Sequence, residues 1–293
     1  MTQMRIGFIG LGMMGAPMAR RLAEAGHALV LNDADAERTR TLCDALRAEP
    51  LSPEAAGSLD ALITMLPNSA VVEEVLIGRG LADALPRGAT VSDMSSSEPV
   101  RSRALGEALA ARGLGYLDAP VSGGVKRAVD GSLAILVGGD GALLERLRPV
   151  LEAMGRSILH IGAAGAGHAA KALNNFVSAA GLMATVEALH VAQRFGIDPD
   201  VMTDVLNAST GRSNTSENKV KPFMLSGSFA SGFSLKLMDK DLGIAQALAR
   251  SVDYPLTFGR HGIGLWHAVA EKAGAASDHT EMYRFLADEA DFE

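Results

Sequence analysis

"MRIGFIGLGMMGAPMARRLAEAGHALVLND" (residues 4–33) contains a strand-like apolar run, a glycine-rich turn, an amphipathic stretch and a second apolar run. The run "RIGFI" leads into glycines spaced G-x-G-x-x-G at Gly10, Gly12 and Gly15. The residues that follow are apolar at Met14, Met18, Leu22 and Ala25, a helical spacing that stops at Gly26. Between a predicted strand and a predicted helix, each glycine has a physical task. Gly10 permits the tight turn, Gly12 lets a pyrophosphate approach the backbone, and Gly15 lets the helix pack on the strand. The helix N-terminus adds unpaired N–H groups and a partial positive charge. The second run, "ALVL", ends at Asn32 and Asp33. A carboxylate there accepts both ribose hydroxyls of an adenosine and repels a 2′-phosphate, and Ala34 stands where an arginine would hold that phosphate. The stretch predicts a seat for NAD in preference to NADP. The competing reading makes Asp33 an acidic N-cap for "DAERTR".

Composition narrows the setting. The 293 residues are enough for one large domain or two ordinary ones. A net charge of −7 argues against a nucleic-acid or anionic-membrane partner. Cys43 is the only cysteine, so no intrachain disulfide can form and a cytoplasmic location is expected. No uninterrupted apolar run reaches the roughly 18 residues of a membrane span. No cationic stretch precedes a signal-like apolar core. A soluble intracellular protein is expected.

Beyond the opening stretch, short apolar runs alternate with amphipathic helical segments. "LDALITMLPN", "ATVSDMSS", "LGYLDAPVSGG", "SLAILVGG" and "SILHIG" read as strands. "SAVVEEVL", "EPVRSRALGEALAARG" and "GALLERLRPVLEAMG" read as helices between them. That alternation predicts a doubly wound α/β domain over residues 1–162, its parallel sheet covered on both faces. From residue 163 to 293 the pattern is helical throughout, opening with about thirty residues from "GHAAKALNN" to "RFG". "DPDVMTDVLNAS", "LKLMDKDLGIAQALARSV", "FGRHGIGLWHAVAEKAG" and "DHTEMYRFLADE" are further helices, which makes an all-α second domain.

Three short patterns carry chemistry. "SGG" (Ser122, Gly123, Gly124) follows a predicted strand and offers a hydroxyl and flexible backbone N–H groups suited to a carboxylate. Lys171 lies near the start of the long helical segment, where partial burial and a positive nicotinamide would fit it to move a proton. Asn174 and Asn175 follow one turn later, at a cost in helix propensity that suggests a polar task. Asn175 suits a substrate hydroxyl or carboxylate; for Asn174 a helix–helix hydrogen bond competes. His160 and His168 read as capping or packing residues, Trp266 and the methionines as core. Arg212, Lys219 and Lys221 suit a second anionic group, although the solvated reading is preferred. No ligand cluster of metal-binding spacing occurs, so no metal is expected.

"IGFIGLGMMGAPMA" (6–19), "LDAPVSGG" (117–124), "GAAGAGHAAKALNN" (162–175) and "MDKDL" (238–242) together resemble the four motifs of the 3-hydroxyisobutyrate dehydrogenase group of β-hydroxyacid dehydrogenases. The similarity runs from residue 4 to about residue 245, in order and with similar spacing. The resemblance implies a Rossmann-type domain and an all-α domain joined by a long helix, with Lys171 catalytic. It implies cofactor contacts at Gly10, Leu11, Gly12, Met13, Met14, Gly15, Asn32, Asp33, Leu66, Pro67, Ser96 and Lys240. Substrate contacts fall on Ser122, Gly123, Gly124 and Asn175. The implied substrate is a small anionic hydroxyacid or semialdehyde; tartronate, glyoxylate and succinate semialdehyde reductases of the same group are the alternative. A 6-phosphogluconate-type enzyme would carry Lys-x-x-His-Asn where this chain has Lys171-Ala-Leu-Asn174-Asn175. An imine reductase would generally lack the lysine, and a non-catalytic NAD-binding sensor would not need the full set. The apolar surface of the helical half suggests a homo-oligomer, a dimer or tetramer.

Overall fold

A computed structural model describes residues 3–287. The chain divides into two compact units, Met1–Lys171 and Ala172–Glu293.

The first unit is one twisted sheet. Its strands are β1 (Arg5–Ile9), β2 (Ala28–Asn32), β3 (Glu49–Pro50), β4 (Ala61–Thr64), β5 (Thr90–Asp93), β6 (Gly115–Asp118), β7 (Val121–Ser122), β8 (Leu133–Gly139) and β9 (Gly155–Gly162). The order is β3-β2-β1-β4-β5-β6-β8-β7, with β9 on β8. From β3 to β6 every pairing is parallel. β8 runs antiparallel to β6, and β9 follows β8. Alternation along each strand explains the two covering layers. Ile6, Phe8, Leu29, Leu31, Ala61 and Ile63 face one core with Met18 and Leu22 of helix Gly15–Glu24. Ile9, Val30, Leu62 and Val91 face the other with Leu105 and Leu109 of helix Pro99–Ala110. The chain order reverses between β1 and β4, so the turn after β1 opens onto the crevice at the carboxyl ends of the strands.

Three of the expectations need adjustment. The sheet is not wholly parallel: β8 turns back. The two-residue β3 was missed, both its residues being exposed and without apolar pattern. The segment "DHTEMYRFLADE" forms only a 3-10 turn, His279–Glu281, and a short helix, Met282–Phe285. Its last two residues, Asp288 and Glu289, lie outside the described residues.

A long helix, Ala166–Phe195, follows β9. In length and composition it matches a membrane span. Its Ala179, Leu182, Val186 and Leu189 nevertheless form one buried stripe in the core of the second unit. There they meet Leu235, Met238 and Leu242 of helix Leu235–Ser251 and Ile263, Trp266 and Val269 of helix Thr257–Lys272. Trp266 is fully buried, and its indole donates to the Leu235 carbonyl at 3.3 Å.

The first turn of the long helix is held to the sheet by a buried polar cluster. Asp93 and Asp118 end neighbouring strands and are register partners. Neither is exposed to solvent, and two adjacent carboxylates repel. His168, also buried, has Nε2 3.8 Å from Asp93 and Nδ1 3.8 Å from Asp118. Its Nε2–H donates to the Ser95 carbonyl at 3.0 Å, and Nδ1 pairs with the Ser102 hydroxyl at 2.8 Å. Asp118 accepts the N–H groups of Gly165 and His168, so a strand end caps the helix. Burial raises the Asp118 pKa, opposed by His168 and those two N–H groups. Replacing His168 by Leu leaves two buried carboxylates without their ring. We expect a loss of about 3 kcal/mol or more in urea unfolding. A loss under about 1 kcal/mol would show that the cluster contributes little.

Candidate active site

The glycine turn separates into two structural positions and one open one. Gly10 has φ 97°, and a Cβ there would run into the Met65 carbonyl. Its N–H donates to the Asn32 carbonyl at 2.9 Å, tying β1 to β2. A Cβ on Gly15 would collide with the Gly10 carbonyl and press on the Phe8 ring. At Gly12 a Cβ would meet nothing within 4 Å. Leu11 is buried, Met14 half-buried and Met13 74 % exposed. Helix Gly15–Glu24 starts without any side-chain cap; its Ala16 N–H donates to the Gly12 carbonyl at 3.0 Å and Pro17 has none, which leaves the N–H groups of Gly12, Met13, Met14 and Gly15 to meet an anion. The space at Gly12 and these donors fit a pyrophosphate.

Asp33 closes the turn. Its Oδ2 accepts the Leu11 N–H at 2.6 Å, while Asp35, two residues on, caps helix Ala36–Leu46. The N-cap reading therefore belongs to Asp35, and Asp33 faces the glycines. Oδ1 of Asp33 accepts the Asp35 N–H at 2.9 Å and the Arg38 guanidinium at 3.2 Å. Arg38, and not position 34, supplies the guanidinium beside Asp33, because the first turn of helix Ala36–Leu46 brings it back to the strand end. Leu66, Pro67 and Ser96 follow the carboxyl ends of β4 and β5, on the same side of the sheet as the turn. The Leu66 N–H donates to the Ser95 hydroxyl at 2.9 Å. Buried Asp93 gathers the hydroxyls of Thr64 and Ser97, at 2.8 Å each, beneath them.

Ser122 ends β7, and Gly123 (φ 131°) and Gly124 (φ 69°) follow with positive φ. Such successive turns of backbone expose N–H groups to one side. Both glycines are exposed, and a Cβ on Gly124 would meet nothing within 4 Å. Lys171 is half-buried, one helical turn past His168. His160 turns elsewhere: its Nε2–H donates to the Gly139 carbonyl at 2.9 Å.

In the second unit Asn175 is buried and donates from Nδ2 to Asp241 at 2.6 Å. Asn174 is exposed and donates to Asn175 at 3.2 Å, so it bonds along its own helix and not to another. Lys240 Nζ lies 3.4 Å from Asp241 Oδ1. Asp241 is thus the residue of "MDKDL" that orients Asn175, a role its neighbour's charge concealed in the sequence. Arg212 is exposed beside Glu217, and Lys221 is held by Asp200 and Asp204, as the solvated reading required. Lys219 departs from it. Burial lowers its pKa to about 8, with Asp278 acting in the other direction. The glycine geometry predicts that Gly12→Ala folds with unchanged stability, within about 0.5 kcal/mol, yet loses dinucleotide affinity by on the order of 10-fold or more. Gly10→Ala should instead cost about 1–3 kcal/mol in urea unfolding. Wild-type affinity in Gly12→Ala, measured by fluorescence titration, would remove the pyrophosphate seat from this turn.

Comparison with known proteins agrees with both halves. Residues 5–162 match the family described as the NAD binding domain of 6-phosphogluconate dehydrogenase. Residues 165–286 match the NAD-binding domain of NADP-dependent 3-hydroxyisobutyrate dehydrogenase. The mitochondrial 3-hydroxyisobutyrate dehydrogenase of Mus musculus is 35 % identical, covering 98 % of this chain and 88 % of its own. The 2-(hydroxymethyl)glutarate dehydrogenase of Eubacterium barkeri is 37 % identical over 86 % of this chain and 84 % of its own. The structure of Mycobacterium tuberculosis 3-hydroxyisobutyrate dehydrogenase with L-serine superposes with a TM-score of 0.91 at 34 % identity, covering 98 % and 100 % of the two chains. The glycine turn, the lysine-bearing helix and these full-length similarities converge: the chain belongs to the 3-hydroxyisobutyrate dehydrogenase family of NAD(P)-dependent β-hydroxyacid dehydrogenases.

Proposed function

We propose that the chain interconverts a small β-hydroxyacid of the 3-hydroxyisobutyrate kind and its semialdehyde, with NAD as cofactor and Lys171 moving the proton. The observation that carries this reading is the half-buried Lys171 on a helix whose first turn is fixed to the strand ends by His168, Asp93 and Asp118. The relatives named for 3-hydroxyisobutyrate and 2-(hydroxymethyl)glutarate support the substrate class.

When bound, the nicotinamide accepts a hydride from the alcohol carbon. The chain's own residues do the rest. The N–H groups around Gly12 hold the pyrophosphate. Asp33 offers the adenosine ribose a charged acceptor that repels a 2′-phosphate, which supports NAD. A carboxylate has about four acceptor sites. Leu11, Asp35 and Arg38 take three of them, so one remains for a ribose hydroxyl unless Arg38 turns away. Ser122 and the N–H groups of Gly123 and Gly124 hold the substrate carboxylate. Asn175, with one amide hydrogen committed to Asp241, has a second for the substrate oxygen. Neutral Lys171 takes the hydroxyl proton as the carbon gives up its hydride; in reduction its ammonium returns that proton to the carbonyl oxygen. Leu66, Pro67, Ser96 and Lys240 complete the cofactor set.

Replacing Lys171 by Met should lower kcat by about 10²–10⁴-fold while cofactor affinity stays within about 3-fold. Retained turnover at 340 nm would remove the proton role from Lys171, and lost cofactor binding would make the residue structural. Wild-type kcat/KM should favour NAD, and Asp33→Ala should narrow that preference by about 10-fold or more. A wild-type preference for NADP would overturn the Asp33 reading.

A further inference from the structure

We propose that Lys219 binds a second anionic group on the substrate, so that the β-hydroxyacid taken by this chain is a dianion. The proposal rests on the dehydrogenase reading above and adds the chemistry of the substrate's far end.

Lys219 is one of three cations in the segment 212–221, and the three have different fates. Arg212 is exposed to water and near Glu217. Lys221 lies 2.9 Å from Asp200 and 2.7 Å from Asp204. Lys219 is half-buried, and its one hydrogen bond among the described residues is to the Ser178 hydroxyl at 3.5 Å, the outer limit of such a contact. An ammonium has three donors, so two find no protein partner among the described residues. Asp278 faces it electrostatically without holding it. Both oxygens of Asp278 are already taken by the hydroxyls of Ser231 and Thr280 and by the N–H groups of Gly232, Phe233 and Thr280. A desolvated charge with so few partners is a poor structural element and a good anion receptor.

Its location gives the anion a place on the substrate. Ser178 is seven residues beyond Lys171 and three beyond Asn175 on one continuous helix. Seven residues are nearly two turns, so Ser178 points within about 20° of the direction of Lys171, about 10 Å further along the axis. Lys219 therefore lies over the helix face that carries Lys171 and Asn175. A substrate with its alcohol carbon at Lys171 and its chain along that face brings a distal carboxylate to Lys219. A lysine acts as a point charge, so a phosphonate or sulfonate of the same reach shares the chemistry.

The test compares kcat/KM for racemic 2-(hydroxymethyl)glutarate, a dianion, with that for 3-hydroxyisobutyrate, a monoanion. Wild type should prefer the dianion. In Lys219→Met, which keeps an unbranched side chain one atom shorter and removes its charge, the dianion-to-monoanion ratio should fall on the order of 100-fold, through KM. Lys219→Arg should restore much of the ratio. Ser178→Asp should also lower it, because an internal carboxylate then occupies the ammonium with Lys219 still in place. An unchanged ratio in Lys219→Met, or a wild-type preference for the monoanion, overturns the proposal while leaving the dehydrogenase reading intact. Absence of turnover of either acid by the wild type overturns both.

Discussion

The side-by-side carboxylates of Asp93 and Asp118 are the constraint around which the first unit is arranged. Parallel pairing of β5 and β6 puts both at the carboxyl ends of adjacent strands, away from solvent. Two such groups cannot stay ionised in a dry interior without compensation. The compensation comes from more than forty residues later in the chain, where His168 enters between them and Gly165 and His168 lend their N–H groups. Because Nε2 faces a carbonyl, it carries a hydrogen, which fixes the ring's orientation. Gly165 and Gly167 are small for the same reason: a Cβ on Gly167 would strike the Leu136 and Asp118 carbonyls. The start of the long helix is thereby set by electrostatics, and the direction of Lys171 follows from the helix.

Asn175 depends on a comparable device in the second unit. Two consecutive asparagines weaken a helix interior, and the 2.6 Å bond to buried Asp241 offsets that cost. It also fixes the amide's rotation, since the hydrogen donor must face the carboxylate and the oxygen accepts from Asn174. Asp241 Oδ1 has no hydrogen bond and lies 3.4 Å from Lys240. In the "KDL" triplet, accordingly, the acid orients the amide and the lysine lies beside the acid.

The legible and illegible parts of this chain divide by the range of the interaction. Glycine spacing, the apolar strand runs and the thirty-residue helix are local patterns and legible as such, whereas the exposed two-residue β3 carries no pattern at all. Strand direction is not a local property, because "SLAILVGG" has the same alternation whichever way it runs; the reversal of β8 was hidden. Asp118 with His168 and Asp93 with His168 are separated by 50 and 75 positions, and only the fold makes them neighbours. Arg38 sits five residues from Asp33, close enough to have been noticed, but only the first turn of helix Ala36–Leu46 brings it back to the strand end. Lys219 looks solvated in sequence because Arg212, Glu217 and Lys221 around it resemble an ordinary surface.

Half-buried Lys219 differs from the buried carboxylates of Asp93, Asp118 and Asp278 in how few partners it has. Asp118 has two N–H donors and a histidine; Asp93 has two hydroxyls, an N–H group and the same histidine. Asp278 is held well below the usual carboxylate range because hydrogen bonds from His279, Thr280 and Ser231 outweigh its burial. Each of these groups is surrounded by partners that the fold supplies, as buried polar groups generally are. Lys219 pays the desolvation of its charge against one long hydrogen bond. The fold gives Asp93, Asp118 and Asp278 several donors each, and gives the Lys219 ammonium one long acceptor among the described residues. The acceptors must then arrive with the molecule that binds, and an anion beside the Lys171–Asn175 face supplies them.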